Sequence, residues 1–243
     1  MNTHVFLGPT LSVAAAQRIL AAQYHPPAAM GDVYRCTQHQ DSPGTMLIVD
    51  GYFEQVPSVR HKEILHAMSV GWRVLGCASM GALRAAELHQ YGMAGLGSVF
   101  EDYRDEVLED DDEVAVAHAA AEYGYRALSV AMVDIRATLH AAAECSAVGP
   151  EAVEGVVTAA KRMYYPDRHW PGVLASARLR DAERSTLLDF VREHGQGVKR
   201  RDAVGALTLL AEGSLPERTG ELVEFRATNS WHRFVAAEAV VAG

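Results

Sequence analysis

The stretch from residue 72 to residue 88 constrains the fold of this chain more than any other. It begins with a short apolar run, residues 72–77, and ends with a run of strong helix formers, residues 82–88. Small residues surround Ser79 at the join. The pattern therefore predicts a buried strand, a tight turn and the start of a helix.

The predicted turn places the Ser79 hydroxyl where free backbone N–H groups and the positive end of a helix dipole gather. Such a place can hold a nucleophile and stabilise a negative oxygen beside it. The Gly-x-Ser-x-Gly template matches in part, because Gly81 is in place but Gly76 lies one position early. The alternative is that Ser79 is only an N-cap. Ala82 stands where a capping box would need Glu or Gln, so no capping box supports that alternative.

Two further segments predict strands that end near the same place. Residues 5–7 are apolar, and residues 45–49 form a continuous apolar run of the kind found in strands buried on both faces. Thr10 follows the first strand and Asp50 follows the second. In open α/β sheets, ligand sites lie beyond the carboxyl ends of the strands. If the strands are parallel, Gly8, Asp50 and Ser79 converge at one edge of the sheet.

A predicted helix over residues 57–69 carries two more candidates. His61 shares a face with three apolar residues at helical spacing, and Lys62 flanks that face. A histidine in such a position is usually a hydrogen-bonded core residue, and a lysine at the edge usually extends its amine to water. The pattern alone does not separate these structural roles from catalytic ones.

The whole pattern predicts an α/β fold with a mostly parallel central sheet, flanking helices and a mainly helical C-terminal region. We place the boundary so that residues 1–147 form the α/β domain and residues 148–243 the helical region. Shorter segments are predicted as a helix at 11–23, strands at 33–35, 114–118 and 125–128, a loop at 95–97 and a solvated acidic turn at 109–113.

Composition excludes several classes of protein. The 243 residues carry a formal charge of −9, and the densest basic cluster, residues 199–201, is short, so we expect no nucleic-acid partner. Cys36, Cys77 and Cys145 show neither metal spacing nor a disulfide framework, which predicts a reducing cytoplasm, no metal and no cofactor. The polar residues 1–4 do not resemble a signal peptide, and no apolar run approaches the roughly 20 residues of a membrane span.

Six motifs, in order along the chain, resemble those of TfuA-like proteins. The resemblance covers roughly residues 4–145, and the C-terminal third is weakly constrained by it. The motifs are residues 8–10, 26–28 with 31–32, 50–53, 61–65, 79–87 and 111–115.

This resemblance implies partners and an activity. TfuA-like proteins work beside YcaO enzymes in peptide backbone thioamidation, in which YcaO activates a peptide amide oxygen with ATP. The TfuA-like partner strengthens the hold of YcaO on its peptide. It also hydrolyses the thiocarboxylate at the end of a ThiS-type ubiquitin-like carrier, which delivers sulfide. A Ser–Lys pair is assigned to this hydrolysis and, carried over by motif, the pair is Ser79 and Lys62.

The chemistry of that pair makes further demands. A lysine pKa near 10.4 must fall before the amine can take a proton at pH 7, and burial lowers it. The N–H groups of Met80 or Gly81, with Thr10, are candidates for holding the developing negative charge. Arg84 either pairs with Glu87 or binds the thiocarboxylate of the carrier.

Three alternatives remain open at this stage. In one, His61 oriented by Asp50 is the base for Ser79. In another, the protein is a non-catalytic adaptor that only binds YcaO and its peptide. The weakest is a phosphate site at the Ser79 helix start, which lacks a Gly-rich Walker-type loop.

Overall fold

The computed structural model describes residues 2–38, 42–54, 56–195, 197–215 and 224–242. A five-stranded sheet lies at its centre, with the strand order β2-β1-β3-β4-β5 and every neighbouring pair parallel. The strands are β1 (Thr3–Phe6), β2 (Gln23–His25), β3 (Thr45–Ile48), β4 (Arg73–Cys77) and β5 (Ala94–Leu96). The predicted α/β class with a parallel sheet is confirmed.

Helices flank the sheet and make up the C-terminal region, as the sequence predicts. They are α1 (Val13–Ala16), α2 (Asp32–Gln38), α3 (His61–Ser69), α4 (Met80–Leu88), α5 (Ser98–Arg104), α6 (Met132–Glu144), α7 (Pro150–Arg162), α8 (Trp170–Ser176), α9 (Asp181–His194), α10 (Val198–Glu212) and α11 (Asn229–Ala242). Within the described ranges, no helix has the length and apolar character needed to cross a bilayer.

Each face of the sheet is buried under different helices. Because side chains alternate along a strand, β1 contributes Phe6 to one core and Val5 to the other. The Phe6 side packs with residues of α3 and α4, whereas the Val5 side packs with Ala203 and Leu207 of α10. Helix α10 therefore covers the sheet although it lies beyond residue 147. The boundary at residues 147 and 148 stays a prediction.

A third core joins the remaining helices. Ile135 and Leu139 of α6 pack with buried apolar residues of α7, α8 and α9, among them Val156, Leu174 and Leu187. This cluster lies outside the two cores of the sheet. It gives the C-terminal half its own apolar interior.

Several short segments differ from their predictions. Residues 33–35 lie in α2, because Val33 and Cys36 share the buried face that one helical turn creates. Residues 11–23 hold only the single turn of α1 and the first residue of β2. The predicted loop at 95–97 contains most of β5. The predicted strands at 114–118 and 125–128 meet in one isolated bridge, between His118 and Ala127.

The acidic run is solvated only in part: residues 109–111 are exposed, as predicted, whereas Asp112 and Glu113 belong to an ion-pair cluster. Glu113 is buried, and each of its oxygens accepts a 3.0 Å hydrogen bond from Arg136 of α6. Lys161 of α7 pairs with Glu113 at 2.9 Å and also with Asp112, which in turn binds the buried Arg168. The run therefore links α6 and α7 to the loop before residue 118.

Candidate active site at the carboxyl edge of the sheet

From β1 the chain adds β2 on one side and then β3 on the other side, so the junction of β1 and β3 is the topological switch point of the sheet. Asp50 follows β3 at this junction. In doubly wound sheets the crevice beyond the carboxyl ends of those two strands is where ligands bind. Asp50 is buried, and its Oδ2 accepts hydrogen bonds from the N–H groups of Gly8 (2.8 Å) and Thr10 (3.1 Å). Its Oδ1 accepts one from the Thr10 hydroxyl at 2.6 Å. The carboxylate thus fixes the turn after β1 against the end of β3.

The connection from β4 to α4 is a sharp, strained turn. The N–H of Ser79 donates to the carbonyl oxygen of Cys77 at 2.7 Å, which closes a three-residue γ-turn around Ala78. Ala78 has φ +65°, a left-handed conformation that is costly for a residue with a Cβ atom. Strain of this kind persists only where packing enforces it. The turn directs the chain out of β4 and straight into α4.

Two glycines let the start of α4 approach the sheet closely. A Cβ atom on Gly76 would lie 2.0 Å from the carbonyl oxygen of Gly81, and one on Gly81 would lie 1.7 Å from that of Ile48. Both contacts are impossible for a larger residue without movement of the backbone. This explains why the template matched only in part, since the glycines serve helix–sheet packing on either side of Ser79.

The Ser79 side chain is not used to cap the helix. Ser79 occupies the N-cap position of α4, but its hydroxyl makes no capping hydrogen bond. It is 93% buried, since only 7% of its surface is accessible. The alternative that Ser79 is an N-cap therefore holds for its position but not for its side chain. The hydroxyl is buried at the start of the helix and makes no capping hydrogen bond.

Some of the N–H groups predicted to bind an oxyanion already donate hydrogen bonds within the protein. The N–H of Gly81 donates to the carbonyl oxygen of Val49 at 3.2 Å, so Gly81 is not free to bind an oxyanion in this arrangement. Both donors of Thr10 are bound to Asp50. Among the described residues, the N–H of Met80 has no backbone acceptor. Of the predicted oxyanion donors, Met80 is thus the one that remains available.

Ser79 opens into a cavity of about 20 Å³, enough for about one water molecule. His118 lines the same cavity, together with Asp50, Tyr52 and Tyr165. The Nδ1 atom of His118 lies 2.9 Å from the carbonyl oxygen of Ala119, which can only accept, so Nδ1 donates and, in the neutral ring, Nε2 has the lone pair. His118 is an imidazole group of the Ser79 cavity that the sequence analysis did not single out.

Two tyrosines, Tyr52 and Tyr165, line the cavity. Burial, followed by the effect of Tyr125, raises the pKa of Tyr52. Burial, followed by the charge of Glu54, raises the pKa of Tyr165 well above its usual range. Both phenols therefore stay protonated at neutral pH. They are possible hydrogen-bond donors to a bound anion.

Lys199 is a buried cation close to the cavity wall. Its amine donates to the carbonyl oxygen of Val114 at 2.8 Å, and Val114 lines the cavity. Burial lowers the pKa of Lys199, and the carboxylates of Asp50 and Asp134 oppose that shift. The sequence showed Lys199 only as part of a short basic cluster. In the fold it is a buried amine that interacts electrostatically with the carboxylates of Asp50 and Asp134.

Lys62 and His61 lie apart from this cavity. The Lys62 amine donates to the carbonyl oxygen of Arg226 at 2.7 Å and lies 5.0 Å from the ring centre of Phe225. The Nε2 atom of His61 lies 2.8 Å from Glu87 Oε2. In the part of the chain that the structure describes, both residues line a separate cavity of about 270 Å³. The Ser79–Lys62 pair stays a prediction.

Two other expectations concern the residues around His61. Arg84 donates to Glu87 at 2.7 Å and to the carbonyl oxygen of Val59 at 3.1 Å, so of its two predicted roles the ion pair is the one observed. Asp50 makes its hydrogen bonds with Gly8 and Thr10. The arrangement in which Asp50 orients His61 toward Ser79 is therefore not formed.

A comparison with protein families finds one match over about half of the chain. Residues 50–169 match the family model described as TfuA-like protein. The matched segment begins at Asp50 and contains Ser79 and His118, but it ends before Lys199. A search of curated proteins finds no match.

Proposed function

Because this chain belongs to the TfuA-like family, which is associated with YcaO enzymes and peptide thioamidation, we propose that it supplies sulfide to such an enzyme. The proposed reaction is hydrolysis of the C-terminal thiocarboxylate of a ThiS-type, ubiquitin-like sulfur carrier. In the same complex the protein assists YcaO in holding its substrate peptide. The observation that supports this proposal is a buried serine hydroxyl, free of helix capping, that shares a cavity with a histidine.

The first step is attack of Ser79 Oγ on the thiocarboxylate carbon. A carbon–oxygen bond forms, the carbon–sulfur bond breaks, and the sulfur leaves as hydrosulfide with the proton that the serine has lost. The carrier is then joined to Ser79 through an ester. In the second step a water molecule cleaves that ester and releases the carrier with an ordinary carboxylate.

A base must take the serine proton. The candidate that shares the Ser79 cavity is His118, whereas the family motif implies Lys62. The resemblance assigns this role to Lys62, whose amine is bound to the Arg226 carbonyl. His118 lines the Ser79 cavity, and its Nδ1 donates to the Ala119 carbonyl, so Nε2 is the nitrogen that accepts a proton when the ring is neutral. We therefore assign proton transfer to His118, and keep Lys62 as the competing candidate that the experiment below separates.

The charge of the site is compatible with an anionic substrate. Asp50 is an acidic residue of the cavity lining, and three hydrogen bonds together with the electrostatic effect of Lys199 offset its charge. The free N–H of Met80 lies at the positive end of the α4 dipole. The hydroxyl groups of Tyr52 and Tyr165 add neutral donors. These groups stabilise the negative charge that develops on the carbonyl oxygen of the substrate during attack.

Release of sulfide from thiocarboxylated carrier tests the mechanism. We expect Ser79→Ala to lower the rate at least about 10³-fold, as loss of a nucleophile does in other acyl-transfer enzymes. His118→Gln should lower it about 10²-fold or more, the typical contribution of a general base. Ser176→Ala, on the surface of α8, is the matched control and should leave the rate unchanged.

The Lys62→Ala variant decides between the two bases. If His118 is the base, Lys62→Ala keeps most of the activity. If Lys62→Ala abolishes turnover while His118→Gln spares it, the motif assignment is right and the histidine assignment is wrong. Full activity of Ser79→Ala would exclude both.

The size of the cavity favours one alternative, a non-catalytic adaptor. A volume of about 20 Å³ holds about one water molecule, so the carrier terminus can enter only if the cavity widens. An adaptor needs no such entry. It predicts that the protein enhances thioamidation when free sulfide is supplied, and that Ser79→Ala enhances it equally while no carrier is hydrolysed.

A further inference from the structure

A cluster of two histidines and a cysteine lines a different cavity from the one that Ser79 lines. His4 is on β1, His25 on the edge strand β2, and Cys36 on α2. One nitrogen of each histidine and the sulfur of Cys36 all lie within 4.8 Å of one another. His4 and Cys36 are buried, and His25 is partly buried.

In this cluster His25 and Cys36 both contact the same ring nitrogen, Nδ1 of His4. His4 Nε2 lies 2.8 Å from the Asn2 side-chain oxygen, which can only accept, so Nε2 carries the proton and Nδ1 is a bare lone pair. His25 Nε2 lies 2.9 Å from this Nδ1, and Cys36 Sγ lies 3.1 Å from it. A single lone pair cannot fully satisfy two donors. A cation among the three atoms would be bound by all of them.

The donor set and its spacing fit a tetrahedral transition-metal ion. Zinc bonds of about 2.0 Å to nitrogen and 2.3 Å to sulfur place tetrahedral ligands roughly 3.3–3.6 Å apart. The observed separations of 2.9 and 3.1 Å need to open by only a few tenths of an ångström. The Asn2 contact holds the His4 ring through its other nitrogen, as second-shell groups do at metal sites.

The cluster is open to a ligand from one side. His4, His25 and Cys36 all line a cavity of about 310 Å³. Asp32 and Arg35 line it too, but Asp32 is bound to the N–H of Ala29 at 2.7 Å and to Arg35 at 2.5 Å. The cavity therefore provides a path for an ion and room for a water molecule in the fourth position.

We propose that His4, His25 and Cys36 form a binding site for a Zn²⁺-type transition-metal ion, with a fourth, exchangeable ligand on the side of the cavity. The thiolate and imidazole ligands select zinc, cobalt or copper over magnesium and calcium, which prefer oxygen. Binding expels the thiol proton and leaves the proton on His4 Nε2 in place. The site is separate from the proposed chemistry at Ser79.

Titration of the full-length protein with Co²⁺ alone tests the site, with Zn²⁺ as competitor. We expect one equivalent to bind, with a sulfur-to-cobalt charge-transfer band that Zn²⁺ abolishes. Cys36→Ser should remove the band and His25→Gln should weaken binding at least about 10-fold. Cys145→Ser, at an exposed cysteine, is the matched control and should keep both.

A second measurement does not depend on variants that disturb the core. In nitrogen-15 spectra of the wild-type protein, Zn²⁺ should shift His4 Nδ1 and His25 Nε2 and leave His4 Nε2 protonated. Absence of saturable Co²⁺ binding would overturn the proposal. So would a charge-transfer band that persists in Cys36→Ser, or zinc shifts confined to other histidines.

Discussion

Glu63 is a buried residue whose charge state affects stability near neutral pH. Its two oxygens accept hydrogen bonds from the N–H groups of Gly31 (2.8 Å) and Arg60 (3.1 Å). Burial nevertheless dominates and raises the pKa of Glu63 from 4.5 to about 7. The folded state therefore binds this proton more tightly than the unfolded state does.

The stability that this proton provides is complete below pH 4.5 and is lost as the pH rises to about 7. We expect the free energy of unfolding to fall by about 3 kcal/mol across this range, at about 1.4 kcal/mol for each pH unit of pKa difference. Glu63→Gln should flatten the profile, whereas Glu154→Gln on the surface should not. Denaturant unfolding between pH 4.5 and 8 measures this, and an unchanged slope in Glu63→Gln would refute it.

Lys199 provides a second test at the scale of the residue. Replacing it by Met removes the amine that donates to the carbonyl oxygen of Val114 and leaves that buried acceptor without this partner. A buried polar group that loses its hydrogen bond typically costs about 1–3 kcal/mol. We expect a loss of this order in the free energy of unfolding. The neighbouring exposed Arg200→Met should cost little, and equal losses in the two variants would contradict this account of Lys199.

The unit formed by β4, the turn and α4 is the element on which the site depends. Gly81→Ala would place a Cβ atom 1.7 Å from the carbonyl oxygen of Ile48. Overpacking of this kind costs about 1–3 kcal/mol or more, because the helix must move off the sheet. We expect a clear loss of thermal stability, accompanied by loss of sulfide release.

Gly155→Ala in α7 is the matched control, since a Cβ atom there meets no other atom within 4 Å. Alanine has the higher helix propensity, so this variant should be slightly more stable, by about 0.5–1 kcal/mol. Calorimetric melting of both variants measures the contrast. Equal effects would show that the contact between α4 and β3 is not as close as described.

Elements with strong local patterns could be predicted, and elements held by tertiary contacts could not. The buried strand before Ser79 and the helix after it follow from an apolar run joined to helix formers. In contrast, β2 and β5 have three residues each and exist because they pair with the edges of longer strands. Their sequences resemble loops, since pairing rather than propensity decides their conformation.

The C-terminal segment shows how the whole molecule changes the roles of single residues. Trp231 of α11 packs between rings of α2 and α3, at 5.5 Å from Tyr34 and 5.0 Å from His66. Glu238 pairs with Arg35 of α2. The same segment supplies the carbonyl that binds Lys62. A lysine that looked free in the sequence is thus engaged by residues more than 150 positions away.

Truncation of this anchor should destabilise the whole molecule. Trp231→Ala removes a side chain that is 7% exposed and should lower the free energy of unfolding by about 3–5 kcal/mol. Val240→Ala, at a position that is 81% exposed, is the control and should have almost no effect. Denaturant titration compares the two. A small effect of Trp231→Ala would show that α11 does not dock as described.

Only the folded chain reveals which distant residues meet. The sequence marked Asp50 and Ser79 because each follows a recognisable strand. It contained no comparable signal for His118, which lies on an irregular segment, or for Lys199 of α10, which donates to the carbonyl oxygen of Val114 in the cavity lining. His4 and His25 meet through the parallel pairing of β1 and β2, which no spacing rule encodes. The loop and helix contacts that bring such residues together depend on the complete fold.

Detection of the ester between Ser79 and the carrier is the most direct test of the proposed function. Wild-type protein mixed with thiocarboxylated carrier and quenched in acid should contain an adduct equal to both chains minus hydrogen sulfide, and peptide mapping should place it on Ser79. Ser79→Ala should form neither adduct nor sulfide. If Ser79→Ala releases sulfide at the wild-type rate, the serine is not the nucleophile and the central claim fails.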